Sequence, residues 1–494
     1  MLKKIQQDFS YYSHEFKDNY RKGVHRLRTI LASRAQAQAF VSNAGGVAVV
    51  LGYEPETPDK NAQELYALLA ASPYIDDAVQ TFLGSIYEAG AESQDAMYSD
   101  SARCLEILHD PVMSRAAGAG TVSAGKWIAT LAGQSCNLYR DMNAVAASDI
   151  AMTAVAASET AMAAVVSNAT ALNAVVTSQV ALNAVAASET AMAAVIGNAT
   201  ALNVVATSQA AMNAVAASET AMTAVIANTA AFNTVVTSHV AMNAVASSYV
   251  AVAAVYESAV AVEAVKANET AWATLTGASS AVMGKAAAKL AGLNPADYAD
   301  MTAVAASSTA RAAIEKSQVA KDAIAASDMA TAKYAVGAAG LKPADYANMA
   351  AVAASQTAMA AIIANSTALN AVVSSSAAMS AVAASQTAMA AIAASSTALS
   401  AIAASTTALD AIYAKKKRMS GASASLSGKF IILQISNDNA FDTSRYGYAT
   451  LSDGSKPKWD SYKDKYAYFK QYKKIATYMK NDTDSDDWID YFQC

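Results

Sequence analysis

This chain of 494 residues is poor in the residues that most often carry out chemistry. It has three cysteines and four histidines, and only 15% of its residues are charged, against about 25% in an ordinary soluble domain. The cysteines are too few and too scattered for a disulfide framework or a thiolate metal site, and no two histidines are spaced as a ligand pair. We therefore expect no metal, no cofactor and no enzymatic activity.

Long apolar runs and a dominant charge are also missing. With 35 basic and 40 acidic residues, the net charge of −5 gives no general reason to expect a nucleic-acid partner. No stretch of 18 residues lacks Ser, Thr, Asn or charge, and the first ten residues contain no apolar segment of a signal peptide. The sequence predicts a soluble chain, made without a secretion signal and not inserted in a membrane. Its 54% hydrophobic content, mainly Ala and Val, still suffices for a packed core.

A ten-residue repeat dominates the middle of the chain. Residues 151–270 form twelve consecutive decapeptides, such as AMTAVAASET, in which every residue number ending in 1 is Ala and every number ending in 5 is Val. A continuous helix cannot hold this pattern on one face, because three turns would need about 3.3 residues each instead of 3.6. A strand is excluded because Ala is a poor strand former and the apolar positions do not alternate. The repeat predicts a short helix that is interrupted every ten residues.

The eighth position of each decapeptide is Ser or Asn, which are preferred N-cap residues. Where Glu follows, as in Ser158-Glu159, it lies in the first turn and faces the helix dipole. We expect this position to end one helix and to cap the next. The predicted caps are Ser158, Asn168, Ser178, Ser188 and Asn198.

A thirty-residue period is superimposed on the decapeptides. AMAAVVSNAT at 161 returns as AMAAVIGNAT at 191, and the Ser-Glu-Thr segments at 158, 188 and 218 also stand thirty apart. This period predicts three short helices per turn of a solenoid, with residues such as Met162 and Met192 stacked in neighbouring turns. Recent tandem duplication without structural meaning is the alternative.

The array is interrupted and then resumes. Ser or Asn recurs every ten residues from Ser307 to Ser327 and, in a shifted frame, from Ser355 to Ser405. Two matched segments, GLNPADYADM (292–301) and GLKPADYANM (340–349), combine a Gly stop with a Pro restart and resemble corners or caps of the array.

These features predict a mainly α protein with five segments. A helical head (1–140) is the expected anchor. Its first helix is basic, and a solvated face is the favoured interpretation of that helix, with contact to nucleic acid or an acidic protein surface as the alternative. The first repeat array (141–270), an interruption (271–300) and a second array with the GLKPADYANM corner (301–412) form a solenoid-like rod of short broken helices. A small β-containing tip (413–494) includes the apolar strand Phe430–Ile435.

The tip is rich in aromatic side chains, which are the candidate binding residues: Tyr446, Tyr448, Trp459, Tyr462, Tyr466, Tyr468, Tyr472 and Trp488. A core role for them is at least as well supported.

Two motif matches carry little weight. Gly120 to Lys126 fits GxxxxGK, but Trp127 stands where the metal-binding Ser or Thr must follow, so we expect a loop before a helix. Asp482, Asp484 and Asp486 resemble the start of a calcium loop, yet Asp487 replaces the required Gly and Gln493 the required Glu. A solvated acidic turn is the favoured interpretation.

The AMxAVxASxT array between a globular head and an aromatic tip resembles tail-fibre and related virion proteins of large contractile-tailed bacteriophages. The resemblance covers mainly residues 141–412, with ASASLSGKFIILQIS (422–436) and SDGS (452–455) similar to fibre-tip sequence. It implies a structural virion component, assembled in the host cytoplasm and commonly a homotrimer. Its implied partners are other tail or baseplate proteins and a host-surface glycan or protein, and no catalytic residue can be transferred from it.

Three alternatives to a fibre stay open. A bacterial surface adhesin or an ice-binding protein can also carry regular Thr and Ala positions, although Val180 and Ala210 interrupt the Thr series here. A tail or baseplate structural protein without a receptor-binding role fits the same repeat. A glycan-depolymerising tip would need a carboxylate pair, and no spacing between Asp482 and Asp490 identifies one.

Overall fold

The computed structural model describes residues 11–16, 20–51, 60–87, 92–420, 424–436, 446–451, 454–456, 458–460, 475–481 and 488–493. The chain divides into two compact units, Met1–Val245 and Ala246–Cys494. This division falls inside the first repeat array and coincides with none of the boundaries of the five predicted segments. The predicted fold class is confirmed: the chain is mainly helical, with a solenoid of short helices and a small C-terminal sheet.

The N-terminal helices pack around fully buried side chains, among them Leu65, Leu83 and Trp127. Their hydrophobic faces follow the usual helical spacing of three and four residues. The helices are α1 (11–16), α2 (Tyr20–Ala32), α3 (Arg34–Val41), α4 (Ala44–Leu51), α5 (Lys60–Ala70), α6 (Ile75–Tyr87), α7 (Gln94–Tyr98), α8 (Ser101–His109), α9 (Pro111–Ala117) and α10 (Thr121–Leu131), followed by the 3-10 turn η1 (Cys136–Leu138).

The first eleven short helices of the first array follow. They are α11 (Met142–Ala147), α12 (Asp149–Ala157), α13 (Glu159–Val166), α14 (Ala169–Val176), α15 (Gln179–Ala187), α16 (Glu189–Gly197), α17 (Ala199–Thr207), α18 (Gln209–Ala217), α19 (Glu219–Ala227), α20 (Thr229–Thr237) and α21 (His239–Ser247).

The second unit continues the same architecture. Its helices are α22 (Tyr249–Glu257), α23 (Ala259–Lys266), α24 (Glu269–Thr276), α25 (Ser280–Leu290), η2 (Pro295–Asp297), α26 (Met301–Ala306), α27 (Ser308–Lys316), α28 (Gln318–Ala326), α29 (Asp328–Ala338), η3 (Pro343–Asp345), α30 (Met349–Ala353), α31 (Gln356–Ala364), α32 (Ser366–Val373), α33 (Ser376–Ala384), α34 (Gln386–Ala393), α35 (Ser396–Ala404) and α36 (Thr406–Tyr413).

The chain bends sharply at the Ser or Asn that separates two repeat helices. The axes of α14 and α15 differ by 98° across Ser178, and those of α16 and α17 by 105° across Asn198. Ser178 has extended backbone angles (φ −107°, ψ 118°), so it cannot continue α14, and its hydroxyl accepts the Ala181 N–H at 3.3 Å. The prediction of short helices broken every ten residues is confirmed.

Within each unit, repeat helices pack on the third helix after them. In the first unit α12 packs on α15 and α15 on α18, and in the second unit α31 packs on α34 and α33 on α36. Met162 and Met192, thirty residues apart, lie in α13 and α16, which pack on each other in the same way. The thirty-residue turn of three helices is therefore confirmed.

The cap serines also join neighbouring turns, which the sequence did not suggest. The Ser188 hydroxyl donates to the Ala156 carbonyl oxygen at 2.5 Å, and Ser385 donates to Ala353 at 2.7 Å. Both accepting carbonyls lie 32 residues earlier, in the last turn of a helix, where carbonyls have no partner within the helix. One hydroxyl thus caps its own helix and satisfies the end of a helix in the turn before.

The solenoid interior is built from three positions of each decapeptide. In α16 these are Ala191, Met192 and Val195, all 0–3% exposed, whereas Ala193 and Gly197 face solvent. The fully buried Ala leaves no room for a larger side chain, and the long residue beside it fills the centre. This explains why the Ala position does not vary in the first array while the next position is Met, Leu, Phe or Val.

The structure contains three corners of the same build, one more than the sequence analysis found. Each begins with a glycine at positive φ (Gly133 at 73°, Gly292 at 73° and Gly340 at 80°) and continues into a 3-10 turn, η1, η2 or η3. In each, the cap residue 25 positions after that glycine bonds to the last residue of the helix before the glycine: Ser158 to Leu131, Ser317 to Leu290 and Asn365 to Ala338. The first corner lies partly in the predicted head.

The GxxxxGK match lies at the start of α10, with Gly120 before the helix as its N-cap residue and residues 121–126 inside it, so the expected loop covers only the first residue of the match. Gly125 and Lys126 lie inside α10, and a Cβ on Gly125 would come within 2.3 Å of the Asp141 backbone. The Lys126 ammonium donates to the Cys136 and Tyr139 carbonyls, both at 3.4 Å. Lys333 holds Pro343 and Tyr346 in the same way at the third corner. The motif therefore serves helix packing and corner stability.

Candidate functional site

The described residues of the tip form one antiparallel sheet of six strands, in the order β1-β6-β2-β5-β3-β4. The order places β1 and β4 at the edges. The strands are β1 (Lys417–Ser420), β2 (Ala424–Ser436), β3 (Tyr446–Leu451), β4 (Lys458–Asp460), β5 (Ile475–Asn481) and β6 (Trp488–Gln493).

One face of the sheet closes the core of the second array. Ile431 of β2 and Phe492 of β6 are buried in the same cluster as Leu409 and Ile412 of α36. A solenoid would otherwise expose its last apolar layer, which repeat proteins cover with a terminal cap. The sheet therefore has a structural role before any binding role is considered.

The opposite face has its own buried cluster. Phe430 and Tyr491, next in sequence to the residues of the first face, pack edge to face with ring centroids 5.4 Å apart. Met419, Met479 and Ile489 are buried with them. The alternation of consecutive residues between the two faces follows the period of two in a β-strand.

A buried carboxylate ties the basic run Lys415–Arg418 to the sheet. The solvent-inaccessible side chain of Asp490 accepts Arg418 Nε at 2.7 Å and Nη2 at 3.0 Å, and Lys416 Nζ lies 2.7 Å from its Oδ2. Arg418 and Asp490 are directly opposed in β1 and β6. Burial raises the pKa of Asp490, but the hydrogen bonds from Arg418 and Lys416 outweigh burial and hold this pKa below its usual value. Lys416 and Arg418 therefore have a structural role in the sheet.

Four of the eight predicted binding aromatics lie in described strands, three of them in β3 and β4 and one in β6. Tyr446 and Tyr448 lie in β3 and Trp459 in the neighbouring edge strand β4, where Trp459 pairs with Gly447. Trp488 lies apart from them at the start of β6. The remaining four candidates lie outside the described residues: Tyr462, Tyr466, Tyr468 and Tyr472. The acidic positions Asp482, Asp484 and Asp486 lie outside them as well.

The five predicted cap residues all stand at helix N-termini. Their side chains accept the backbone N–H three residues later, at 3.0–3.3 Å, as Asn168 does from Ala171. Asn168 is 8% exposed, so this polar side chain lies in the packed part of the solenoid.

The basic first helix has acidic neighbours within the head. Arg26 lies 3.6 Å from Glu15, and Arg28 lies 3.8 Å from Glu64. These ion pairs are exposed and contribute little to stability. The arrangement agrees with the solvated face that the sequence analysis favours for this helix.

Across the described parts of the chain, no group of three His, Cys, Asp or Glu side chains is placed to hold a metal ion. Among the described helices, none is long and apolar enough by itself to cross a bilayer; seven sharply bent pairs meet the length and composition criteria only together. Comparison with known proteins gives no matching family model and no matching curated protein.

Proposed function

We propose that this chain is a structural bacteriophage virion protein, a tail fibre or related appendage, in which the solenoid is a spacer that presents the C-terminal domain to the host surface. The observation that supports this most is that the cap and core side chains of the repeat are used in contacts within the solenoid itself. The cap hydroxyls bond to backbone groups, and the large side chains fill the interior. Such an array holds its ends apart and offers little chemistry.

In this proposal the head anchors the chain to other tail or baseplate proteins in the virion. The C-terminal domain contacts a host-surface glycan or protein, and the chain acts as a homo-oligomer, commonly a trimer in such appendages. The edge formed by β3 and β4 is the candidate contact surface, because three of the predicted aromatics lie there: Tyr446, Tyr448 and Trp459. Aromatic side chains often dominate the energy of such contacts.

The ice-binding alternative is not favoured by the repeat geometry. The hydroxyls of Thr160 and Thr170 are half-buried and donate to backbone carbonyls of Leu131 and Ala119, both at 3.4 Å. A flat ice-binding surface needs exposed hydroxyls in register. The adhesin alternative and a baseplate role without receptor binding are decided by the experiment.

Substitution is a better test than truncation, because deleting 413–494 would uncover the apolar end of the array at Leu409 and Ile412. We expect particles carrying Tyr446→Ser, Tyr448→Ser and Trp459→Ser together to incorporate the chain normally and to adsorb at least ten-fold less. The control is Asn203→Ala on an exposed position of α17. Normal adsorption of the triple variant would refute the contact surface. Absence of the chain from purified particles, with display on the producing cell instead, would refute the virion role and favour an adhesin.

A further inference from the structure

One position of the repeat is apolar almost throughout both arrays. It is the fourth residue after each cap, and we call these residues the apolar row. In the first array they include Met162, Leu172 and Phe232, and in the second they include Met359 and Leu399, all at most 5% exposed. The row supplies the large side chains at the centre of each turn.

A single turn of the solenoid replaces the apolar row with polar side chains. After the caps Ser307, Ser317 and Ser327 the fourth residues are Arg311, Lys321 and Thr331. The three belong to the consecutive helices α27, α28 and α29, which lie between the second and third corners. We call this segment the polar turn.

Two of these side chains find partners in the backbone. Arg311 Nη1 donates to the Ala305 carbonyl at 2.5 Å, and the buried Thr331 hydroxyl donates to the Ile324 carbonyl at 2.8 Å. Lys321 has no such bond among the described contacts and instead lines a surface cleft. At this position the other repeats have mostly Met or Leu, which pack in the interior. The polar turn lacks that apolar packing, and a local loss of stabilising packing is expected where residues serve a function.

The cleft has a volume of about 220 Å³ and lies where α27, α28 and α29 meet α32. Its polar side chains are Glu315, Gln318, Lys321, Asp322 and Asn370, and its apolar lining includes Ile314 and Ile324. Drug-sized ligands occupy pockets of about 300 Å³ or more, so this cleft suits a smaller molecule.

The carboxylates of the cleft are held in place by neighbours. The Tyr334 hydroxyl donates to Glu315 Oε1 at 2.5 Å, and Gln318 Nε2 donates to Asp322 Oδ1 at 2.7 Å. Tyr334 is 2% exposed, and burial, followed by its hydrogen bond to Glu315, raises its pKa, so the phenol stays a donor. One oxygen of each carboxylate remains to accept a hydrogen bond from a ligand.

We propose that the polar turn binds a single neutral sugar ring in this cleft. Carboxylate and amide oxygens accept from ring hydroxyls, and Lys321 and the Asn370 amide donate to them. The partly exposed Ala325 and Ala371 of the cleft lining contact the C–H face of the ring. Two carboxylates beside one ammonium leave the cleft with a net negative charge, which disfavours an anionic ligand. The proposal does not depend on a virion role for the chain.

The test is a titration of the full chain with methyl hexopyranosides of the gluco, galacto and manno series, followed by saturation-transfer NMR and calorimetry. We expect binding by at least one of them, with Kd on the order of 1 mM for so small a ligand. Glu315→Gln and Asn370→Ala should each weaken it at least ten-fold. The matched control is Asn173→Ala, because TALNAVV occurs identically at 170–176 and 367–373 but only the second copy borders the cleft.

Lys321→Met is a second test, in which a loss of binding cannot be explained by a loss of folding. It restores the apolar row, so it should slow native-state amide exchange in α27, α28 and α29 while abolishing sugar binding. Three results would overturn the proposal: no binding of any of the three sugars at tens of millimolar, equal weakening by Asn173→Ala and Asn370→Ala, or preferential binding of glycine or alanine, which would make the site one for amino acids.

Discussion

Ser188→Ala tests the double role of the cap serines. The Ser188 hydroxyl accepts the Ala191 N–H at 3.2 Å and donates to the Ala156 carbonyl at 2.5 Å. The substitution removes both bonds and leaves two backbone groups without a partner. The substitution should therefore destabilise its turn of the solenoid more than the loss of an ordinary N-cap would.

The magnitude follows from the two bonds. Loss of the cap costs about 1 kcal/mol, and loss of the second bond, with a half-buried carbonyl left unpaired, costs about 1–2 kcal/mol more. We expect Ser188→Ala to destabilise its turn by about 2–3 kcal/mol in total. Because a solenoid is coupled through neighbouring turns, the effect should concentrate near α13 and α16 and decline with distance.

Ser208→Ala is the matched control. Ser208 caps α18 through the Ala211 N–H at 3.3 Å, and among the described contacts it makes no bond to the turn before. This control should cost only about 1 kcal/mol. Since about 1.4 kcal/mol corresponds to a factor of ten, amide exchange in the affected turn should accelerate roughly ten-fold more in Ser188→Ala than in Ser208→Ala.

Native-state hydrogen exchange, read by mass spectrometry of peptides along the array, measures both variants locally. A single melting temperature would not suffice, because long arrays need not unfold in two states. Equal acceleration in the two variants would refute the reasoning, since it would mean that the bond between turns contributes nothing. Uniform acceleration along the whole first unit would refute the local coupling.

Two further predictions concern the sheet and the corners. Asp490→Asn should lower the free energy of unfolding by about 2–3 kcal/mol at pH 7. Because the pKa of Asp490 is lowered in the folded state, the greater stability of the wild type should persist above about pH 4 and should shrink as the pH falls through that lowered pKa. Urea unfolding at several pH values measures this, and a pH-independent difference would contradict it. Gly284→Ala should cost about 1–3 kcal/mol, because the new Cβ would lie 2.2 Å from the Asp300 backbone. Gly197→Ala has open space and should be neutral or slightly stabilising. Native-state hydrogen exchange of both glycine variants measures the difference.

Much of the solenoid could be predicted because its determinants are local. The ten-residue spacing cannot be accommodated by a continuous helix, and Ser or Asn at the break caps the next helix through a bond only three residues long, as between Ser178 and Ala181. The thirty-residue period was visible because helices that stack, such as α13 and α16, have nearly the same sequence. Both signals lie within short stretches of sequence.

The first corner was missed because its sequence lacks the matching residues. GQSCNLYRDM at 133–142 has neither the proline nor the Ala-Asp of the other two corners, yet Gly133 adopts the same positive φ and Ser158 makes the same bond to the preceding helix. The polar turn could have been found by counting four residues from each cap, which gives Arg311, Lys321 and Thr331. The cleft beside it could not, because Asn370 reaches it from a helix in a later turn.

The sequence by itself therefore determined the length of each helix, its cap and its buried face, because these depend on contacts between residues a few positions apart. Only the tertiary structure decided that a cap hydroxyl also bonds to the end of a helix 32 residues earlier, that Asp490 pairs with Lys416 and Arg418 of the basic run, and that Ile431 and Phe492 cover the end of the core. Each of these links residues far apart in the chain. Their pairing depends on how the helices and strands pack against one another, and a pattern of residue types along the sequence carries no record of that packing.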